Sequence, residues 1–277
     1  MAEARTGSTP IYVASAGHAA YAAIMVALGV QGLIKGDFGI IWQGVPDGFT
    51  GYTILVYLCA VVSLGSGIGL LFRRTAAYAA GALLILNILW FLVWRVHGLI
   101  VASLVEGTWS SGETLVMMAG AWVLFDWFAT DWDRRHFPWA TGGRGLHIAR
   151  ALYGLGLIPF GYAHFAYIQV TADLVPGWIP WHLGWAWLTG IAFVLAGLAM
   201  VIGVWGRPAA VLSVWQMGLF FVLVWIPRAV AGSLSPFQWG EFASNLALVA
   251  AGWVVADSYR GAPWLVASRP SEPALAR

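Results

Sequence analysis

The chain has 277 residues, of which 60% are hydrophobic and only 9% charged, with a net charge of +2. A soluble domain carries about 25% charged residues, so this composition excludes an ordinary soluble globule, and the small net charge gives no nucleic-acid footprint. The 18 tryptophans fit a protein placed in a bilayer, since Trp collects at membrane interfaces, and the single cysteine, Cys59, excludes an internal disulfide or dithiol centre.

Eight apolar segments follow in chain order, at roughly 11–34, 50–72, 75–95, 113–130, 146–170, 184–205, 208–228 and 240–258. A spanning helix needs about 20 apolar residues. The first segment, Ile11 to Ile34, is longer than a signal-peptide core of about 7–15 residues and is expected to be a retained membrane helix. The runs are continuously apolar, without the alternation of a membrane barrel. Their density of Gly and Ala, as in Gly65-Ser66-Gly67-Ile68-Gly69, suits close helix packing in lipid.

The chain also matches itself. Tyr21 and Gly29 correspond to Tyr153 and Gly161, Arg74-Thr75-Ala76-Ala77 to Arg207-Pro208-Ala209-Ala210, Arg95 to Arg228, and Trp122 and Asp126 to Trp253 and Asp257. The reading is an all-α membrane protein with eight transmembrane helices as two tandem four-helix bundles. Its parts are 1–128 (first unit), 129–145 (linker), 146–258 (second unit) and 259–277 (tail). Eleven basic residues, among them Arg5, Arg73, Arg74, Arg134, Arg135, Arg144, Arg207, Arg269 and Arg277, fall on one side; Lys35, Arg95 and Arg228 fall on the other. The positive-inside rule predicts a multi-pass protein of the cell (inner) membrane with both termini cytoplasmic.

The second half resembles the DoxX-like membrane proteins. The residues that carry this are Phe160-Gly161-Tyr162-Ala163-His164-Phe165, Thr171-Ala172-Asp173-Leu174-Val175-Pro176-Gly177-Trp178-Ile179-Pro180, Trp185-Ala186-Trp187-Leu188-Thr189-Gly190 and Ile226-Pro227-Arg228. The resemblance covers roughly 148–257, and the first half looks like a diverged copy. It implies a four-helix membrane bundle with a redox-linked role, either binding a quinone or another lipid-soluble molecule or serving as a non-enzymatic scaffold or accessory subunit beside other membrane subunits. One departure is that no histidine follows Thr189-Gly190.

Ionisable groups in hydrocarbon are costly and mark candidate sites. His164, Asp173, Trp178, His182, Trp185, Arg228 and Glu241 gather by sequence near the outer side of the second unit, with Arg95 and Glu113 as the matching pair in the first. Each Arg–Glu pair reads first as a structural ion pair joining two helices, because it recurs in both halves, and otherwise as a ligand anchor. Arg228 and Glu241 are expected to pair, directly or through one water, with His164 facing the bundle interior beside them and Trp178–Trp187 lining a cavity. His97 and Glu106 share that side. The His and carboxylate spacings match no metal motif. Asn87, Gln216 and Asn245 read as interhelical hydrogen-bonding groups, and Trp122, Trp127, Trp132 and Trp139 as a cytoplasmic belt.

Overall fold

The structure is a computed structural model that describes residues 11–46 and 48–265. Of the basic residues that set the expected topology, Arg5, Arg269 and Arg277 lie outside the described residues. The described chain is helical, with one isolated bridge between Ile11 and Phe72.

The helices are α1 (Ala16–Lys35), α2 (Tyr52–Leu70), α3 (Ala76–Val101), α4 (Leu104–Phe128), the short α5 (Asp131–His136), α6 (Gly142–Ala166), the short α7 (Ile168–Leu174), α8 (His182–Ile202), α9 (Gly206–Val230) and α10 (Pro236–Asp257). Local chemistry sets their ends. Ser15 caps α1 by accepting from the His18 amide, and Gly36 closes it at φ 65°, a conformation that suits glycine. Ser235 and Gln238 form a capping box at α10, with Pro236 in its first turn. Near their ends α3 and α9 each contain a π-turn, at Phe91–Arg95 and Phe221–Trp225.

Six helices, α1, α2, α3, α8, α9 and α10, are long and apolar enough to cross a membrane. Their outward faces agree: Ile54, Tyr78, Ile85, Leu195 and Leu212 are each at least 60% exposed. Such a surface is stable only where something other than water covers it, and the chain is a multi-pass membrane protein. α4 and α6 are just as long, with 25 residues each, but more polar. α4 explains why: it is buried almost without break from Ser111 to Asp126, packed against α3, α6 and α10, and needs no apolar outer face.

The packing runs as a ring. Neighbours are α1–α2, α2–α3, α3–α4, α4–α6, α6–α8, α8–α9, α9–α10 and α10–α1, with α4 and α10 in contact across the middle. Glycines bring backbones together at the crossings. A Cβ on Gly29 would lie 2.5 Å from the Leu64 nitrogen, and one on Gly67 would lie 2.7 Å from the Val26 nitrogen, so α1 and α2 interlock. Gly161 and Gly197 do the same for α6 and α8, and Gly112 meets Gly156 between α4 and α6.

One expectation fails in the middle of the chain. The stretch 96–112 reads as a loop and the fourth segment as 113–130, yet α3 continues to Val101 and α4 starts at Leu104. The polar residues there stay helical because their hydroxyls bond within the helix: Thr108 to the Leu104 carbonyl at 2.6 Å and Ser111 to that of Gly107 at 2.7 Å.

Candidate functional site

The α4–α10 contact brings the carboxylates of the two expected pairs together. Glu113 on α4 is buried, and its Oε1 accepts a hydrogen bond of 2.5 Å from the Ser244 hydroxyl on α10. Glu241, one turn earlier on α10, lies within electrostatic reach of Glu113 and Glu106. Glu106 in turn accepts from the Tyr167 hydroxyl at 2.6 Å, and this bond holds the phenol above its ordinary pKa.

Arg95 reaches this cluster from the last residue of the π-turn in α3. It is only 4% exposed; Nε donates to Thr114 Oγ1 at 2.8 Å and Nη2 to the Ile41 carbonyl at 3.2 Å. Arg95 and Glu113 feel one another electrostatically, but the guanidinium is bonded to the neighbouring threonine. Glu113 thus stands between Arg95 of α3 and Ser244 and Glu241 of α10, so that ionisable groups from three helices share one neighbourhood at the α4–α10 contact.

Arg228 and Glu241 form no direct ion pair among the described residues. Arg228 Nη2 donates to the Asp173 carbonyl at 3.0 Å, so it faces α7 while Glu241 faces α4. Among the described residues the ion pair is Arg260–Asp257, at 2.8 Å. His164 does turn inward: its Nδ1–H donates to the Phe160 carbonyl at 2.8 Å, and its ring lies against Phe193 and Phe220, with centroids 5.4 and 5.9 Å away. It is not joined to Arg228 or Glu241. The side chain of Asp173 is exposed and accepts from Gln169. His182 opens α8, and Trp178, Trp181, Trp185 and Trp187 are all exposed, the first two about three-quarters so. These tryptophans form an outer aromatic surface and do not line an interior cavity. On the opposite side Trp122 leaves the expected belt; it is buried, with its indole N–H on the Ala140 carbonyl. Gln216 bonds across helices to the Thr189 carbonyl, as expected, whereas Asn87 bonds within its own helix to Leu83. Among the described residues no group of three or more His, Cys, Asp or Glu is placed to hold a metal ion.

A feature that sequence reasoning missed lies between α2 and α3. Phe49, Leu55, Leu58, Leu86, Leu89, Trp90, Val93 and Trp94 line an open apolar cleft of about 240 Å³. Trp90 forms its base, bonded through Nε1 to the Gln43 carbonyl and packed edge-on to Phe38 and Trp42. Phe49 meets Trp94 edge-on at 5.1 Å. Residues 86, 89, 90, 93 and 94 carry the helical spacing of a single stripe, but in a helix apolar on every side that stripe has no contrast.

No family model, curated protein or solved structure matches this chain.

Proposed function

We propose that the protein is an eight-helix, DoxX-like membrane module that holds a lipid-soluble molecule, a quinone being the type case, in the cleft between α2 and α3. The observation that carries this reading is the lining of the cleft: five aliphatic and three aromatic side chains. A water-soluble ligand would lose hydration there with no hydrogen bond in return, whereas a ring or an isoprenoid chain gains apolar contact along the lining. The volume is below the roughly 300–1,000 Å³ of a site that encloses a whole drug-sized ligand. That suits a ligand with one segment in the cleft and the rest in the bilayer. Electron chemistry, where it occurs, then belongs to the bound molecule or to a partner subunit.

Eight spans are supported by the 25-residue lengths of α4 and α6, about 37 Å each. Duplication is supported by the glycine crossings. Gly29 packs on Ala60 and Leu64, and Gly161 packs on Gly190 and Val194; Gly67 packs on Ala22 and Val26, and Gly197 packs on Gly154 and Ile158. The contacts recur at sequence offsets of about 130–132. In this reading Arg228 is not the counterpart of Arg95, because the π-turns correspond as Phe91–Arg95 and Phe221–Trp225. Cytoplasmic termini are supported by the basic residues Arg73, Arg74, Arg134, Arg135 and Arg144 at the end where α1 begins and α10 closes.

The test is to purify the protein from its native membrane, extract it and identify co-purifying quinones or other prenyl lipids by mass spectrometry. Leu58→Trp, which fills the cleft from an exposed position, should lower retention at least about tenfold while the protein stays folded. Ligand-free protein, or retention unchanged by Leu58→Trp, would leave the scaffold reading instead.

A further inference from the structure

The end of the bundle at which α4 stops and α6 starts carries a surface that the site above does not use. The connection is folded firmly under α4. Thr130 and Asp133 form a capping box that starts α5 directly after α4. Trp122 donates to the Ala140 carbonyl at 2.9 Å, Trp139 packs edge-on to Trp122 at 5.7 Å, and the Gly142 amide donates to Asp126. Held this way, the connection turns Trp132, Phe137 and Trp139 outward, with Trp132 54% exposed and Trp139 48%.

Arginines accompany these rings along the connection. Arg135, whose Nε donates to the Asp131 carbonyl at 3.1 Å and whose terminal nitrogens face outward with the exposed side chain, and Arg144 are both exposed. The turn between α2 and α3 joins from across Phe128, whose ring meets Tyr12 at 6.0 Å, while the Arg73 guanidinium lies 5.7 Å above the Tyr12 ring. Arg74 is exposed next to it. Arg134 is occupied by the Asp126 carbonyl. Among the described residues the acidic side chains on this surface are Asp131 and Asp133, and Asp133 is engaged in the cap.

We propose that this surface binds the headgroups of anionic phospholipids, with Trp132, Phe137 and Trp139 seated among the headgroups and Arg74, Arg135 and Arg144 holding phosphates. The occupant follows from position and charge. The surface begins where membrane-long helices end, which is the depth that tryptophan rings prefer. Guanidinium groups match the geometry of a phosphate, and basic residues at such a surface are drawn to anionic lipid. The inference rests on the membrane location alone and stands or falls separately from the cleft.

The experiment uses the full chain in detergent with equimolar phosphatidylglycerol and phosphatidylcholine, and native mass spectrometry to count retained lipids. The unaltered protein should prefer phosphatidylglycerol, and high salt should erode that preference. The triple variant Arg74→Gln, Arg135→Gln, Arg144→Gln should lower the ratio of the two lipids at least about tenfold, with an unchanged unfolding temperature. If the triple variant does not fold, Arg144→Gln alone decides, with a drop of about fivefold expected. Equal retention of the two lipids by the unaltered protein, or a ratio that the substitutions leave unchanged, overturns the proposal.

Discussion

The Ser244–Glu113 bond joins α10 to α4 across the middle of the ring, so its removal should be felt by the whole fold. Ser244→Ala takes away one buried hydroxyl, 1% exposed, and leaves the carboxylate oxygen 2.5 Å away without that donor. A neutral hydrogen bond contributes about 0.5–1.5 kcal/mol and one to a charged group about 1.5–3. Interhelical bonds measured in membranes average about 0.6, with a maximum of about 1.7. The expected loss is therefore about 1 kcal/mol, or a fall of roughly 2–4 °C in unfolding temperature. The protein supplies its own reporter, because its single cysteine, Cys59, is buried in α2 and becomes reactive to a thiol dye only when the bundle opens. Ser111→Ala is the control. Its hydroxyl donates to the Gly107 carbonyl of its own helix, so its loss breaks no contact between helices and should move the midpoint by less than about 1 °C. Glu113→Gln in the same series reads the charge: Ser244→Ala should cost less in that background only if the bond is to a carboxylate. A Ser244→Ala midpoint no lower than that of Ser111→Ala would refute the reasoning.

Gly161→Ala should destabilise by about 1–3 kcal/mol, because its Cβ would lie 2.5 Å from the Gly190 carbonyl; Gly218→Ala in α9 meets nothing and should be neutral or stabilise by up to about 1 kcal/mol. The same thiol assay compares them, and equal midpoints would contradict the close α6–α8 crossing. Arg228→Met should cost under about 1 kcal/mol, since it loses one bond to an accessible carbonyl, and Glu241→Gln added to it should restore nothing. Recovery of stability in that double variant would revive the Arg228–Glu241 pair.

Hydropathy carries most of the fold, because in a bilayer the cost of an exposed peptide group makes every long apolar run a helix. It reads α1, α2 and α8–α10 to within about five residues, since those segments face outward and their composition is set by what covers them. It misjudges α4, which faces other helices along most of its length and can therefore begin with Leu104-Val105-Glu106-Gly107-Thr108-Trp109-Ser110-Ser111, a run indistinguishable by composition from a loop. The candidate site fails to appear for a related reason. Sequence order pairs Arg228 with Glu241 because they flank one short connection, and Arg95 with Glu113 by the same logic. The fold instead lays α4 against α10, residues about 130 positions apart, so that Glu113 meets Ser244 and Glu241 while Arg95 turns to Thr114. Proximity along the chain predicts which side of the membrane a charge occupies. Only the order of helices around the ring decides which charges share a neighbourhood. The glycine that bears on the site is Gly120 of α4, where a Cβ would lie 3.1 Å from Ala251 of α10: it lets α4 and α10 approach, and so brings Glu113 towards Ser244, without being an ionisable group itself.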